Sequence, residues 1–214
     1  SRWLRKMFLL QKRQQQQMQQ QMHLHRQHKT NMFVFGLGNP GPEYDGTRHN
    51  VGFMTVEKMA AQKGVTLKKR CLRSFKSAKI NDGNDILVEP LTYMNASGDI
   101  IPSLLKEGDK LVVICDQMDL PPGRLRIRLK GGSAGHNGLK SIIGHWGEDF
   151  IHVYIGVGHP EEGVSVPDHV LSRFSPSDAS LVDKATDMAA EAVLDLLEGK
   201  PVNEILQKAN SFHP

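Results

Sequence analysis

The chain has 214 residues, 39% hydrophobic and 23% charged, and no apolar run approaches the roughly 20 residues that a membrane-spanning helix needs. Two cysteines are too few for a disulfide framework, and the apolar run around Cys115 indicates a buried, reduced thiol in a reducing compartment such as the cytoplasm. The net charge of +4 does not argue for nucleic-acid binding, because residues 1–31 hold seven basic side chains and no acid, which leaves the remainder net negative.

Residues 1–31 contain nine glutamines and no sustained apolar stripe, which is typical of disordered low-complexity sequence. We expect this basic, Gln-rich leader to do nothing in the mature protein. It is either vector-derived or read-through sequence upstream of a true start at Met32, or a transit peptide, which would place the protein in a mitochondrion or plastid. Residues 32–214 have the length of one domain.

After the leader, short strand-like runs alternate with longer helical patterns. Strands are predicted at 33–36, 85–89, 110–116, 124–130 and 151–157, with an irregular strand or hairpin arm at 69–80. Helices are predicted near 50–63, 96–106, 138–147, 177–198 and 201–209. This alternation indicates an α/β fold, in which a single domain holds an open, mixed but largely parallel sheet with helices on both faces.

A glycine pattern follows the first strand. Residues 36–41 (GLGNPG) match the GxGxxG loop of dinucleotide-binding proteins. That loop has to lead directly into a helix whose N-terminus faces the pyrophosphate, whereas Pro40 and Pro42 postpone the helix. We therefore expect no dinucleotide here, and no other cofactor is predicted.

A second pattern, residues 131–135 (GGSAG), follows a predicted strand as the nucleophile elbow of an α/β-hydrolase does. The acid and histidine candidates downstream, Asp168 and His169, are adjacent in sequence and do not suit separate members of a catalytic triad. Ser133 is therefore expected to be a bystander in a glycine loop that shapes a ligand surface.

Four segments place polar side chains at the ends of predicted strands or the starts of predicted helices. They are residues 36–50 (GLGNPGPEYDGTRHN), 91–98 (LTYMNASG), 115–123 (CDQMDLPPG) and 130–139 (KGGSAGHNGL). Ligands of open α/β sheets bind outside the carboxyl ends of the strands, so these side chains are candidates for one site. Together, and in this order, the segments resemble the bacterial-type peptidyl-tRNA hydrolase family, from Phe33 to the long helix that follows residues 170–176.

The resemblance implies an enzyme that hydrolyses the ester of peptidyl-tRNA and releases peptide and free tRNA. It implies that His49 is the general base that activates water, a task suited to an imidazole, which titrates near pH 6.5 in water. Asp116 would fix the tautomer of His49 and stabilise the imidazolium. Asn39, Asn95 and Asn137 would position water, the peptide backbone and the 3′-terminal nucleotide, because amides both donate and accept. Which asparagine faces the oxyanion stays open.

Further residues match the family. Tyr44 would stack on or edge the terminal adenine, or simply pack, and Met94 would line the peptide channel or fill the core. His136 stands beside Asn137 at a predicted helix start and belongs to the same expected substrate site. The ten histidines show no convincing metal-ligand spacing. We expect a monomer whose partner is peptidyl-tRNA, without a metal and without a membrane.

The predicted strand at 124–130 carries a basic stripe. Its period of two places Arg124, Arg126, Arg128 and Lys130 on one face and Leu125, Ile127 and Leu129 on the core face. We expect this stripe to contact tRNA phosphates beside the crevice. A solvated edge strand protected by charge is the alternative.

One departure from the family concerns the strand at 151–157. Family members often carry arginine there, where this chain has His152 and Tyr154. Part of the usual phosphate clamp is therefore missing, and either Arg126 and Arg128 carry more of the contact or tRNA affinity is weaker.

Two other functions compete with the hydrolase. One is a non-catalytic RNA-processing partner on the same fold, and the other is a small-molecule serine esterase that uses Ser133. Retention of His49, Asp116 and the three asparagines argues against the first, since a binding module needs no base with an orienting acid.

Overall fold

The structure is a computed structural model that describes Lys12 and residues 30–214. The disordered leader predicted at 1–31 therefore lies outside the described residues, apart from Lys12 and the last two positions. One unit spans Asn31–Pro214.

In the described residues, seven strands form one sheet in the order β2-β3-β4-β1-β5-β7-β6. They are β1 (Met32–Gly36), β2 (Lys68–Lys69), β3 (Phe75–Ile80), β4 (Asp85–Pro90), β5 (Lys110–Gln117), β6 (Leu125–Arg128) and β7 (Ile151–Gly156). The pairs β4–β1, β1–β5 and β5–β7 are parallel, and the pairs that reach the two edges are antiparallel. The prediction of a mixed, largely parallel sheet is confirmed, and the carboxyl ends of its four parallel strands share one edge.

The helices are α1 (Val51–Gln62), α2 (Ile101–Leu104), α3 (Asn137–Trp146), α4 (Val166–Val170), α5 (Pro176–Leu197) and α6 (Val202–Asn210). Alternate residues of the central strands enter two apolar clusters: Val34 packs with residues of α1 and α5, and Phe35 packs with residues of α3. The sheet is thus buried on both faces, as predicted, which suits its continuous apolar strands. No helix in the described part is long and apolar enough to cross a membrane.

The prediction of one helix at 96–106 is wrong, because the segment contains two helices of different types. The segment forms a 3-10 helix, Met94–Ile100, followed by the short α2. Gly98 is pressed against α3, since a Cβ built on it would lie 2.3 Å from the Ser141 carbonyl oxygen. Pro102 has no N–H to donate back to Gly98, so a regular α-helix cannot run through this point.

The basic strand is shorter than predicted, because β6 ends at Arg128. Leu129, expected on the core face, is 47% exposed. Lys130 lies beyond the strand, where its Nζ is 3.0 Å from an oxygen of Asp149. Arg124 precedes the strand, and its guanidinium donates to the carbonyl of Phe212 at 3.0 Å. The stripe of four cations therefore reduces to Arg126 and Arg128, both exposed.

Candidate active site

A cleft of about 420 Å³ opens at the carboxyl ends of the parallel strands. Its lining consists of Asn39, His49, Tyr93, Met94, Asn95, Asp116, Gln117, Met118, Ala134, Gly135, His136, Asn137, Val166, Pro167, Val170 and Leu171. The four sequence segments thus converge on one cavity and bring together seven of the predicted site residues. Tyr44 lies in the 3-10 turn Pro42–Tyr44, half-buried and outside this lining.

His49 stands in the 3-10 turn Arg48–Asn50, which leads directly into α1. Its Nδ1 is 2.7 Å from an oxygen of Asp116, at the carboxyl end of β5. Because a carboxylate only accepts, Nδ1 carries the hydrogen and Nε2 keeps its lone pair. The geometry therefore presents a basic nitrogen at the cleft.

The same oxygen of Asp116 accepts a second hydrogen bond, from Nε2 of His136 at 3.0 Å. His136 caps α3, where its Nδ1 accepts from the backbone N–H of Leu139 at 3.2 Å. Since that N–H can only donate, it fixes the His136 tautomer with the hydrogen on Nε2. Burial alone would raise the pKa of Asp116, but attraction to His136 and His49 and their hydrogen bonds hold it well below its usual range. Asp116 is therefore ionised at neutral pH.

Asn39 is held by the side chain of Asn50 and by the backbone N–H of Met94. Its backbone N–H donates to the side-chain oxygen of Asn50 at 2.8 Å, and the Asn50 amide donates back to the Asn39 carbonyl at 3.0 Å. The side-chain oxygen of Asn39 accepts from Met94 N–H at 2.8 Å, and this bond settles which end of the amide is nitrogen. The Nδ2 donor of Asn39 is thereby left for a ligand in the cleft. Sequence reasoning missed Asn50.

Asn95 and Asn137 are exposed at the rim of the cleft, on different elements. Asn95 lies in the 3-10 helix Met94–Ile100, and Asn137 is the first residue of α3. Their amides are available to a ligand that enters between these elements, whereas the amide of Asn39 lies deeper in the cleft.

An apolar wall, contributed mainly by α4, lines the same cleft as His49 and Asp116. Val166, Pro167, Val170 and Leu171 line it, and Tyr93, 62% exposed, stands nearby. Sequence analysis predicted no helix here. The signal was present, because Ser165 caps α4 by accepting from Asp168 N–H at 3.2 Å, the S-x-x-D pattern of a helix start.

Arg48 joins this wall to the turn that carries His49. Its Nη1 donates to Ser172 Oγ and to the Arg173 carbonyl, each at 2.7 Å, and its guanidinium lies 4.9 Å from the centre of the Phe174 ring. The backbone N–H of Arg48 also donates to the Ser172 carbonyl at 3.1 Å. Sequence analysis missed this contact, since it spans more than 120 residues.

The two glycine patterns have structural explanations. A Cβ on Gly36 would lie 2.3 Å from the Gly52 carbonyl oxygen, so the first pattern allows β1 and the start of α1 to touch. In the second, the carbonyl of Ser133 accepts from His136 N–H at 2.8 Å. The candidate triad partners are engaged elsewhere, since His169 Nε2 is 2.8 Å from the Gly158 carbonyl and Asp168 accepts from Ser165.

His49, Asp116 and His136 also form the one cluster in the described residues with metal-ligand chemistry, with one ligand atom from each lying within 4.8 Å of the others. Sequence spacing could not reveal it, because its members come from three separate segments. The hydrogen bonds described above account for the arrangement.

A smaller pocket of about 270 Å³ adjoins the cleft and shares Gln117 and Ala134 with it. Arg126, Arg128 and Tyr154 also line it. Burial raises the pKa of Tyr154 to about 12, so its hydroxyl stays neutral at this cationic surface. The guanidinium groups of Arg126 and Arg128 suit a phosphate group, and the carboxylate of Asp119 also lines this pocket.

His152 does not reach this surface. It is fully buried and stacked on Phe150, with ring centres 4.1 Å apart, and its Nδ1 is hydrogen-bonded to Tyr154 Oη at 2.9 Å. Its Nε2 is buried without a hydrogen-bond partner. Burial lowers the pKa of His152 from 6.5 to about 4.

This shift predicts an acid-sensitive fold. Between about pH 6.5 and pH 4, His152 is protonated in the unfolded chain but stays neutral in the folded chain. The free energy of unfolding therefore decreases as the pH falls through this window. Replacing His152 by phenylalanine is expected to reduce the loss of unfolding free energy between pH 7 and pH 4 by up to about 3 kcal/mol. Urea denaturation of both proteins at several pH values measures this difference, and equal losses would contradict it.

Comparison with known proteins agrees with this architecture. The sequence model of the peptidyl-tRNA hydrolase family matches residues 33–214. The peptidyl-tRNA hydrolase of Geobacillus kaustophilus is 47% identical over 167 residues, covering 75% of this chain and 89% of the relative, and that of Geobacillus thermodenitrificans is 46% identical over 188 residues, covering 85% and 98%. The crystal structure of peptidyl-tRNA hydrolase from Acinetobacter baumannii superimposes with a TM-score of 0.77 at 37% identity, covering 87% of this chain and 97% of that one.

The fold and the site thus define an α/β protein in which His49 and the ionised Asp116 form a hydrogen-bonded pair at the carboxyl edge of the sheet. The chain belongs to the peptidyl-tRNA hydrolase family.

Proposed function

We propose that the protein hydrolyses the ester bond of peptidyl-tRNA, releasing peptide and free tRNA and so recycling tRNA from stalled or aborted translation. The observation that carries the proposal is the tautomer of His49. Its Nδ1 is held 2.7 Å from the ionised Asp116, which leaves Nε2 as a base at the cleft. This pair supplies what ester hydrolysis by water needs: an imidazole base and an anion that stabilises its protonated form.

In the proposed mechanism, Nε2 of His49 takes a proton from water as the water oxygen attacks the ester carbonyl. We assign the developing oxyanion to the Nδ2 donor of Asn39, which stays available because the amide oxygen already accepts from Met94 N–H. When the tetrahedral intermediate collapses, the bond to the ribose oxygen breaks and His49 returns the proton to that oxygen. The products are the peptide acid and the terminal ribose hydroxyl of tRNA.

The remaining residues of the cleft would hold the substrate. Asn95 and Asn137, at the rim, would bind the peptide backbone and the 3′-terminal nucleotide. His136 would stabilise the negative charge of Asp116 by its hydrogen bond. The apolar wall with Met94 would take peptide side chains, and Tyr44 would contact the terminal adenine from outside the lining. Arg126 and Arg128 would bind phosphates, with Lys130 beyond the strand.

The test is hydrolysis of N-acetyl-aminoacyl-tRNA by the purified protein, followed as release of the acylated amino acid. We expect rapid hydrolysis of this substrate and much slower hydrolysis of the same tRNA with a free amino group, which lacks the peptide-like amide. A protein that cleaves neither would contradict the proposal. Binding of tRNA without cleavage would instead favour the non-catalytic RNA-processing function, which the intact pair of His49 and Asp116 argues against.

The proposed enzyme is expected to act as a monomer, because the side chains that we assign to the mechanism form a complete site without a second subunit. It acts in a reducing compartment such as the cytoplasm, in keeping with the buried free thiol of Cys115. A mitochondrial or plastid location depends on the leader, to which we assign no part in catalysis.

The proposed chemistry uses no metal. Treatment with 1,10-phenanthroline, in buffer that keeps the Mg²⁺ needed by tRNA, is expected to change kcat/KM by less than about twofold, because the base is an imidazole and not a metal-bound hydroxide. Loss of activity that is restored by added Zn²⁺ would show that His49, Asp116 and His136 bind a metal instead.

The phosphate contact predicts a change in salt dependence. Arg126→Gln is expected to weaken binding of all deacylated tRNAs alike and to lower the slope of log Kd against log salt by about 0.7–0.9, as for one lost phosphate contact. Lys184→Gln, an exposed change on α5, is the control. An unchanged slope for Arg126→Gln would remove β6 from the interface.

A further inference from the structure

The hairpin that joins β2 to β3 is the most basic part of the described body. Six lysines and arginines fall between Lys68 and Lys79, and no acid occurs there, although the body as a whole is net negative. We call residues 68–73 the basic hairpin. Like charges so close together repel one another unless something neutralises them.

Most of these charges have no acidic partner in the described residues. Lys68, Lys69, Arg70 and Arg73 are exposed and form no ion pair there. Lys76 faces Lys69 across the hairpin and is neutralised by the buried Glu89, at 3.0 Å. By contrast, Lys58, Lys63 and Lys208 pair with acids on the helices. The fold therefore neutralises Lys76 and leaves the four cations of the basic hairpin without an acidic partner in the described residues.

The sheet register places the basic hairpin beside the cleft. Strand β3 is antiparallel to β4, with Phe75 opposite Pro90, so the hairpin projects beyond the carboxyl end of β4. The Ser74 carbonyl accepts from Leu91 N–H at 2.7 Å, just before the segment that carries Tyr93, Met94 and Asn95. Strand β6 occupies the other edge of the sheet. Cationic side chains therefore flank the cleft on both sides.

The tip of the basic hairpin has a strained and exposed backbone position. Leu72 is 99% exposed and adopts a left-handed backbone with φ of 61°, which is costly for a leucine. Strained, exposed residues of this kind gather at ligand-binding segments.

We infer that the basic hairpin is a second contact for the phosphodiester backbone of RNA, so that the tRNA arm lies across the cleft between this hairpin and Arg126. The inference rests on the proposed function. Its partner is a polyanion because the free charges are all cationic, and it is RNA because the hairpin adjoins the cleft that would hold the aminoacyl end. An anionic membrane is disfavoured, since Leu72 is the sole large apolar side chain exposed on this segment.

The test compares two triple variants that remove equal charge. Lys69→Gln, Arg70→Gln and Arg73→Gln neutralise the hairpin, whereas Lys106→Gln, Lys110→Gln and Lys184→Gln neutralise exposed sites away from the cleft edge. Kd for deacylated tRNA is measured between about 50 and 200 mM salt. At a fixed salt concentration we expect the hairpin variant to bind tRNA on the order of tenfold more weakly than wild type. Its slope of log Kd against log salt is expected to be lower by about 2, and the control variant is expected to remain near wild type.

Three further measurements decide the outcome. Hydrolysis of an N-acetyl-aminoacyl ester of adenosine, which has no phosphate, is expected to be the same in wild type and the hairpin variant. Equal salt slopes in both triple variants, or an equal loss on the adenosine ester, would overturn the inference. So would a loss of binding to anionic phospholipid vesicles while tRNA binding stays unchanged. Wild type that binds tRNA but cleaves no N-acetyl-aminoacyl-tRNA contradicts the proposed function alone.

Discussion

Replacement of His49 by alanine is expected to lower kcat/KM for N-acetyl-aminoacyl-tRNA by about 10³-fold or more, because water then meets the ester without a base. Most of the loss should be in kcat, since the side chains proposed to bind substrate remain in place. Initial rates of His49→Ala and wild type, measured over a range of substrate concentrations, give kcat and KM for each protein.

Ser133→Ala is the matched control, because it changes the residue that a serine-esterase mechanism would require and that lies beside the same cleft. Near-normal activity is expected for it. Activity that survives the loss of His49 but not the loss of Ser133 would refute the water mechanism. A thermal unfolding curve for His49→Ala close to that of wild type excludes a folding defect as the cause.

Asp116→Asn is expected to reduce kcat by about 10³–10⁴-fold while the shape of the site is kept. The single carboxylate oxygen accepts from both His49 and His136. An asparagine can keep both hydrogen bonds by placing its own oxygen at this position, but it brings no negative charge. The imidazolium that forms on His49 then loses its stabilising anion.

The double variant tests whether Asp116 acts through His49. Two residues that work as one unit are non-additive, so His49→Ala with Asp116→Asn should be no slower than His49→Ala alone. Full additivity in kcat would show that Asp116 has a separate role, and the proposed pair would have to be abandoned.

The sequence predicted the sheet well because its central strands are buried on both faces. Segments such as 110–116 are continuous apolar runs, and these are recognisable without tertiary information. The convergence of His49, Asp116 and Asn39 was predictable for a related reason: parallel strands bring their carboxyl ends to one edge, so polar residues that follow them become neighbours.

Features set by long-range contacts were not predictable. Basic and apolar residues alternate without exception along 124–130. The guanidinium of Arg124 nevertheless donates to the Phe212 carbonyl, and the chain leaves the sheet before Leu129. The tautomer of His136 depends on a helix cap, and the proximity of the basic hairpin to the cleft depends on the register of β3 against β4. Each of these features depends on a contact with another strand or helix, which the local sequence does not reveal.

The link made by Arg48 bears on how the cleft admits its substrate. The turn that carries His49 and the loop that follows α4 share four hydrogen bonds and a contact of the Arg48 guanidinium with the Phe174 ring, so the two segments are tied together. Swinging the wall outward would drag the base with it. We therefore expect the cleft to keep its width when a substrate enters, rather than to close by induced fit.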